Sequence, residues 1–329
     1  MWHNLYYLRI SVSKILVSTG DTCNGWTSKS GIITIQSTVN EIKSTYEPTG
    51  DYFAEVDECF SANCDSKQFI GGGWNSQEEG SDNFLKKVFV FEANSFVEIN
   101  PLNHSRGHSS AVVLSDPHFL ATIKIPKTFL CVTGGYDCET VYDTIEYLEI
   151  DKNFKTNSWR MCQSKLPSKL HGHQVNIFAD KIIVSGGCSD DESKCTNNVW
   201  EGTIRFNGEL SIEFKPLPPM FQSRSYHAST IIKDKLYCLG GYDGNEYLKS
   251  VESFCFATRK WKSYPDLHCT LSYAKVVSND KSGETFIIGG RRDGKPSSNV
   301  SLYDPITGMT DIQEGNLDTE RYNHVAVLM

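Results

Sequence analysis

Short apolar stretches alternate with turn-forming residues along most of the chain, and the pattern is clearest from Arg224 to Leu267. Four apolar runs lie in this segment, and short connections rich in Asp, Gly and Asn separate them, which favours tight reversals. The segment therefore predicts an antiparallel meander of four strands. The predicted strands are His227–Ile232, Lys235–Leu239, Ser250–Phe256 and the run around Trp261. A single meander cannot bury two apolar faces alone, so further copies must pack against it.

The second predicted strand of this meander ends in two adjacent glycines, and this ending recurs along the chain. The last glycines of the successive copies, of which the first is degenerate, are Gly20, Gly73, Gly135, Gly187, Gly241 and Gly290. They are 49 to 62 residues apart, and the mean spacing is 54 residues. A period near ~50 residues with four strands per unit is typical of a β-propeller. The sequence thus predicts an all-β fold, a six-bladed propeller with four antiparallel strands per blade.

This repeat resembles the kelch family, in which a strand ending in Gly-Gly is followed by an aromatic residue and, about seven residues later, a Trp. Phe254 and Trp261 match that pair, and Phe89 and Phe96 match it with Phe in place of Trp. The resemblance extends over residues 14–329. It implies a kelch-type β-propeller that acts as a protein-interaction module.

The two ends of the predicted propeller complement each other. Residues 321–329 repeat the pattern of Arg224–Ile232 and then the chain stops, whereas the first unit lacks an obvious first strand. We therefore expect the C-terminal strand to pair with Lys14–Val17 and close the ring, which removes the open sheet edges. Residues 1–13 form a predicted N-terminal extension and residues 14–329 the propeller. An insertion between the first two strands of the third unit, residues 115–127, is predicted to lie on the surface.

Charge and composition exclude several classes of partner. The net charge is −8, which disfavours nucleic acid and anionic membranes as partners. No apolar stretch approaches the ~20 residues of a membrane span, and no signal peptide is evident. The eleven cysteines have no CxxC pairs, so a reduced, cytoplasmic protein without a metal or other cofactor is predicted. Cys188 and Cys195 leave open a loop disulfide or half of a metal site.

No enzyme signature is present, since the sequence lacks GxSxG, HExxH, P-loop and Rossmann motifs. The predicted function is therefore protein–protein interaction by a monomeric propeller at one face of the ring, without catalysis. The resemblance implies that the partner is a ubiquitin-ligase substrate or a cytoskeletal protein. Two alternatives stay open: a carbohydrate or small-molecule enzyme, because a fold does not define an activity, and an actin-binding structural protein.

A histidine recurs at the start of four units, and equivalent positions of a repeat favour a shared structural role over a metal site. The four histidines are His108, His173, His227 and His324. We predict that they pack or hydrogen-bond within the fold.

Arginines and tyrosines are the candidate binding residues. The resemblance implies that arginines before the first strands lie at the mouth of the central channel and bind acidic peptides, and a guanidinium suits carboxylates. Because the chain reverses after each second strand, the loops after the diglycines reach the same face. The predicted binding residues are Arg106, Tyr136, Arg224, Tyr242, Arg291, Arg292 and Arg321.

Overall fold

The chain folds entirely as β-structure in the computed structural model, which contains no helix among the residues it describes. The described residues are 11–18, 21–22, 25–26, 29–37, 42–51, 56–64, 67–75, 83–92, 95–115, 127–190, 194–279, 283–312, 317 and 320–328. The prediction of an all-β propeller is confirmed. Within those ranges no helix meets the length and hydropathy that crossing a membrane requires.

Among the described residues, six antiparallel sheets of four strands, blades 1 to 6, account for most of the strands. From the innermost strand outward, blade 1 comprises Val325–Leu328, Ser11–Ser18, Lys29–Ser37 and Ile42–Asp51. Blade 2 comprises Phe60–Cys64, Lys67–Gly71, Val88–Glu92 and Ser95–Ile99. Blade 3 comprises Ser110–Leu114, Thr128–Thr133, Ile145–Ile150 and Arg160–Met161. Blade 4 comprises Gln174–Phe178, Lys181–Ser185, Val199–Phe206 and Leu210–Leu217.

The last two blades have the same order of strands. Blade 5 comprises Ala228–Ile232, Lys235–Leu239, Val251–Cys255 and Lys260–Tyr264. Blade 6 comprises Lys275–Asn279, Glu284–Ile288, Val300–Asp304 and Gly308–Asp311. Short strands also occur in the loops: Asp21–Thr22, Gly25–Trp26, Val56–Asp57, Trp74–Asn75, Leu271–Ser272, Arg291–Arg292 and Lys295–Pro296.

The inner strands of the blades surround a central channel. Each inner strand contacts the inner strands of the two neighbouring blades, and that of blade 1 contacts those of blades 6 and 2. The C-terminal strand pairs antiparallel with Ser11–Ser18, with Leu328 opposite Ile15. This strand begins at Ser11, three residues before the predicted start of the propeller. Residues 1–10 and 116–126, which hold the rest of the predicted extension and most of the insertion, lie outside the described residues.

The hydrophobic core lies between the blades, because each sheet has a neighbour on both faces. The third strand of blade 5 illustrates this, since its first four residues are all buried. Phe254 packs with Ile183 of blade 4, whereas Val251 packs with Ile287 of blade 6. Burial of one such side chain stabilises the fold by about 2 kcal/mol. Each blade is therefore held by two apolar interfaces.

The diglycines join each blade to the next through the backbone. At Gly240 the φ angle is 60°, and an added Cβ would lie 2.1 Å from the carbonyl oxygen of Leu271 in the following unit. The next residue, Gly241, donates its N–H to that same oxygen at 2.7 Å. Gly187 donates equivalently to the Arg224 carbonyl at 2.7 Å. Only glycine gives the backbones room to approach this closely.

Candidate binding face at the channel mouth

One end of the propeller collects the loops that follow the second strands and the loops that precede the inner strands. Backbone bridges join these two kinds of loop within a blade, as between Gly107 and Tyr136 and between Ser225 and Tyr242. We call this end the mouth face. It is the face that the sequence predicted from the reversal of the chain after each second strand.

Six residues, each two positions before an inner strand, adopt the left-handed conformation with φ between 46° and 63°. They are Glu58, His108, Gly172, Tyr226, Tyr273 and Asn323, and we call them the mouth ring. Five of them are not glycine, although left-handed backbone is unfavourable for residues with a Cβ. The same unusual conformation in all six blades indicates a shared constraint.

A chain of backbone hydrogen bonds joins five of these residues, from blade 2 to blade 6. His108 N donates to Glu58 O at 3.0 Å, and Gly172 N donates to His108 O at 3.0 Å. Tyr226 N then donates to Gly172 O at 2.8 Å, and Tyr273 N donates to Tyr226 O at 2.9 Å. The ring narrows the channel so far that a cavity of only about 40 Å³ is left between its residues.

Aromatic side chains cover the mouth ring. The Tyr226 and Tyr273 rings stack with centroids 4.3 Å apart, and the His108 ring lies edge-on to Tyr226 at 4.8 Å. His108 Nε2 is 3.1 Å from a carboxylate oxygen of Glu58. His171 has its Nδ1 3.1 Å from the Tyr226 hydroxyl and its Nε2 3.2 Å from the Ser189 carbonyl.

His171 is neutral at physiological pH. Burial, and next the nearby His108, lower the pKa of His171 to about 4. Neutral imidazole has one donor and one acceptor nitrogen. The Ser189 carbonyl can only accept, so Nε2 carries the hydrogen and Nδ1 accepts from the Tyr226 hydroxyl. This fixes the orientation of both rings.

The arginines that precede the inner strands are not exposed, and the prediction that they line the mouth is wrong in this respect. Arg106, Arg224 and Arg321 are 0 %, 1 % and 0 % exposed. Arg224 lies 2.9 Å from Glu252 and donates to the Gly240 carbonyl at 2.6 Å.

Two further predicted arginines are paired inside the protein. Arg106 makes the equivalent contacts with Glu146 and the Gly134 carbonyl, both at 2.6 Å. Arg292 is 9 % exposed and pairs with Asp311 at 2.6 Å. The guanidinium groups reach into their own blades, where carboxylates and carbonyls bind them. They stabilise the fold instead of presenting donors to a peptide.

Three predicted site residues do lie partly exposed on the mouth face. Tyr136 packs against the ring of Phe84 at 4.8 Å. Tyr242 packs against Tyr247 at 5.2 Å and donates its hydroxyl hydrogen to the Gly244 carbonyl at 2.9 Å. Tyr136 is therefore held by the neighbouring loop of blade 2, and Tyr242 is held by its own loop.

Arg291, the third of these residues, lies between two tyrosine rings. Its guanidinium carbon is 5.6 Å from the centroid of Tyr247 and 5.2 Å from that of Tyr322. One nitrogen, Nη2, donates to the Gly294 carbonyl at 2.9 Å. The side chain makes no ion pair with any residue within the described ranges.

Three of the four repeated histidines have the structural role that the sequence predicts. His173, His227 and His324 are buried. His173 Nε2 is 2.8 Å from the Thr133 hydroxyl, and His227 Nε2 is 3.1 Å from the Ser185 hydroxyl, each in the preceding blade. These contacts join neighbouring blades.

His108 is the exception, because it lies in the mouth ring and Ser109 occupies the equivalent of the buried histidine position. The sequence contained a signal for this difference. Arg224 and Arg321 stand three residues before their histidines, whereas Arg106 stands two residues before His108. Aligning the units on the arginines instead of the histidines assigns His108 to the ring.

The buried histidines make stability dependent on pH. Burial lowers the pKa of His173 and of His227 to about 3, well below the ~6.5 of an unfolded chain. The unfolded state therefore binds more protons between these values, and stability is lost as the pH falls below about 6.5. We expect the double variant H173Q H227Q to lose less stability between pH 7 and pH 5 than the parent, by up to about 1.4 kcal/mol per histidine and pH unit.

Chemical denaturation at pH 5, 6 and 7 measures this difference. Glutamine retains an amide that can hydrogen-bond to the same hydroxyls, so we expect the variant to fold and its unfolding to be measurable like that of the parent. Other acidic groups also titrate in this range, but they affect both proteins alike. Equal slopes for the parent and the variant would show that the two histidines do not resist protonation in the folded state.

Cys188 and Cys195 form a disulfide across the mouth loop of blade 4, which decides between the two alternatives that the sequence left open. Cys195 Sγ also lies 3.3 Å from the Ser225 hydroxyl of blade 5. Free thiols occur at Cys131, Cys162, Cys238, Cys255 and Cys269.

Comparison with known proteins agrees with the repeat pattern. A family model described as the KLHDC2/KLHL20/DRC7 Kelch-repeats domain matches residues 120–329. Kelch-like protein 41a from Danio rerio is 26% identical over 224 residues, which cover 68% of this chain and 34% of the relative. Kelch repeat and BTB domain-containing protein 2 from Cowpox virus strain GRI-90 is 28% identical over 128 residues, which cover 39% of this chain and 22% of the relative. The chain thus spans about a third or less of the length of these relatives.

Proposed function

Because the chain belongs to the kelch-repeat family, we propose that it is a protein-interaction module that binds a segment of a partner protein at the mouth face. The observation that carries this proposal is Arg291, a partly exposed arginine held between two tyrosine rings. Arginine and tyrosine are the residue types that most often dominate binding at protein interfaces. Tyr136 and Tyr242 add two partly exposed, fixed rings to the same face.

The surroundings of Arg291 leave it ready to bind a carboxylate. A guanidinium has five N–H donors, and the donor at Nη2 is bonded to Gly294. The Nε donor is buried and has no hydrogen-bond partner in the described structure, so the donors left for a partner are those of Nη1 and the second hydrogen of Nη2. Cation–π contacts with Tyr247 and Tyr322 hold the guanidinium in place. Because the side chain is already ordered, it loses little conformational entropy when a partner carboxylate binds.

The charges around Arg291 restrict the kind of segment that fits. Asp137, Asp243 and Asp293 lie in the mouth loops of blades 3, 5 and 6, and four of the five predicted arginines are buried. A run of acidic residues would face these carboxylates, and like charges in close contact are unfavourable. We therefore refine the expected acidic peptide to a segment with one carboxylate anchor and neutral or basic neighbours.

The enzyme alternative has less support on this face. The Glu58, His108, His171 and Tyr226 cluster contains groups that act in acid–base catalysis, but the cavity beside it is only about 40 Å³. Small-molecule sites are typically ~300 Å³ or larger. The ubiquitin-ligase substrate and actin filament that the family resemblance implies are both proteins, and they enter the experiment below as possible partners.

Removing Arg291 is expected to weaken partner binding. Affinity capture from the native cell followed by mass spectrometry identifies the partner, and calorimetry with the purified partner then gives the dissociation constant. We expect Arg291→Ala to weaken binding by about 2 kcal/mol, roughly 30-fold, as for a central interface arginine.

Arg205→Ala is the matched control, because Arg205 is 65 % exposed and pairs with Glu213 on the outer strands of blade 4. It should bind the partner like the parent. Equal affinities of the parent and Arg291→Ala would move the site away from this part of the mouth face. Equal losses in Arg291→Ala and Arg205→Ala would indicate a general charge effect and contradict a specific role for Arg291.

A further inference from the structure

The channel below the mouth ring contains a second, larger cavity. It has a volume of about 410 Å³, and the inner strands of the blades line it. Its lining is mainly polar and uncharged, with Asn63, Ser110, Gln174 and Ser229 among its side chains. Among the described residues that line this cavity, Lys275 is the charged one.

Lys275 is the first residue of the inner strand of blade 6, and it also lines the small cavity at the mouth ring. The repeat does not require a lysine at this position, since the equivalent residues of blades 2 to 5 are Phe60, Ser110, Gln174 and Ala228. The buried histidines recur at the same position in several blades, which explains them as part of the repeat. Lys275 does not recur in this way, so the repeat does not explain it.

The ammonium group of Lys275 has no carboxylate partner in the described structure. Glu58, the acidic residue that shares the small cavity with it, pairs with His108 instead. Burial lowers the pKa of Lys275 below its usual range. A partly buried positive charge without a counter-charge is unfavourable, and an anion in the channel would remove that penalty.

Donors for an anion line the same cavity on the inner strands of blades 3 and 4, across the channel from Lys275. The side-chain amide of Gln174 has no hydrogen-bond partner in the described part of the chain. The Ser110 hydroxyl accepts a bond from Val175 N at 3.1 Å, which leaves its own hydrogen to donate. The cavity volume falls within the ~300–1,000 Å³ of small-molecule sites.

We propose that the central channel is a binding site for a small oxyanion, a phosphate- or carboxylate-bearing metabolite, with Lys275 as its counter-charge and Gln174 and Ser110 as hydrogen-bond donors. The site lies beneath the mouth ring and is independent of the proposed protein interaction at Arg291. The ligand would neutralise the Lys275 ammonium and bridge the inner strands of several blades, so its binding stabilises the propeller.

Calorimetry and thermal unfolding of the purified chain test the proposal, with inorganic phosphate and citrate as probes and sodium chloride at equal ionic strength as the reference. We expect saturable binding of one probe and a rise in the melting temperature that saturates with it. Lys275→Met should weaken binding at least tenfold. Lys260→Met, which removes an exposed lysine on the outer strand of blade 5, should bind like the parent.

Further variants keep the result interpretable. Lys275→Arg retains the positive charge and should retain anion binding. If Lys275→Met does not fold, Gln174→Leu is the variant that should weaken anion binding, and Lys275→Arg is its charge-retaining comparison. Arg291→Ala should bind the anion like the parent, which separates this site from the mouth face. The absence of saturable binding for both probes, or undiminished binding by Lys275→Met, would overturn the proposal. Phosphate binding alone would identify a phosphorylated ligand, and citrate binding alone a carboxylate.

Discussion

Gly240→Ala is expected to lower the free energy of unfolding by about 4 kcal/mol or more, enough to prevent folding of many domains. The added Cβ would lie 2.1 Å from the Leu271 carbonyl oxygen. That oxygen belongs to the backbone and also accepts the 2.7 Å hydrogen bond from Gly241, so it cannot move without breaking the link to the following blade. The left-handed φ of 60° adds a further cost for alanine.

Gly308→Ala is the control for the backbone conformation alone. Gly308 has a φ of 87°, and nothing lies within 4 Å of the position of an added Cβ. We expect this variant to lose only about 1–2 kcal/mol. Soluble yield and chemical denaturation of both variants give the comparison. A similar loss in the two variants would show that the close approach between blades does not explain the diglycine.

Arg224→Ala is expected to destabilise the protein by about 3–5 kcal/mol, because it leaves a buried carboxylate without its partner. Glu252 is 2 % exposed, and Arg224 is the cation that contacts it. After the substitution Glu252 would retain the backbone N–H groups of Phe221 and Gln222 as donors. The substitution also removes the bond to the Gly240 carbonyl. Urea denaturation measures the loss.

Two comparisons make this result specific. Arg205→Ala removes an exposed ion pair and should change stability by less than about 1 kcal/mol. The double variant R224M E252L should recover much of the loss, because apolar groups of similar size can replace a buried pair. A loss for Arg224→Ala as small as that for Arg205→Ala would mean that the guanidinium is exposed, as the sequence first suggested.

The strands of the propeller could be predicted from the sequence because their signals are local. In blade 5 the predicted strand Lys235–Leu239 has the bounds found in the structure, and the predicted His227–Ile232 begins one residue early. Gly-Gly after an apolar run identifies the second strand of a blade wherever it occurs. Repetition of that signal along the chain gave the fold class.

The burial of the arginines could not be predicted from one unit, because the partner of Arg224 lies 28 residues away on another strand. Comparison between units contains the missing signal. Blades 3 and 5 each have an arginine before the inner strand and a glutamate in the third strand, Glu146 and Glu252. Blade 4 has Leu170 at the arginine position and Trp200 at the glutamate position. The presence of both charges in blades 3 and 5, and the absence of both from blade 4, indicate a buried pair in those two blades.

Pairing of Val325–Leu328 with Ser11–Ser18 determines when blade 1 can finish folding during synthesis. The other three strands of blade 1 lie within residues 11–51, so they leave the ribosome well before residues 325–328. Their sheet lacks its inner strand until residues 325–328 have been made, which takes about 15–60 s at about 5–20 residues per second. For that time the nascent chain carries an unpaired strand edge, which other polypeptides can pair with. Blade 1 is therefore where molecular chaperones have the longest opportunity to act on this protein.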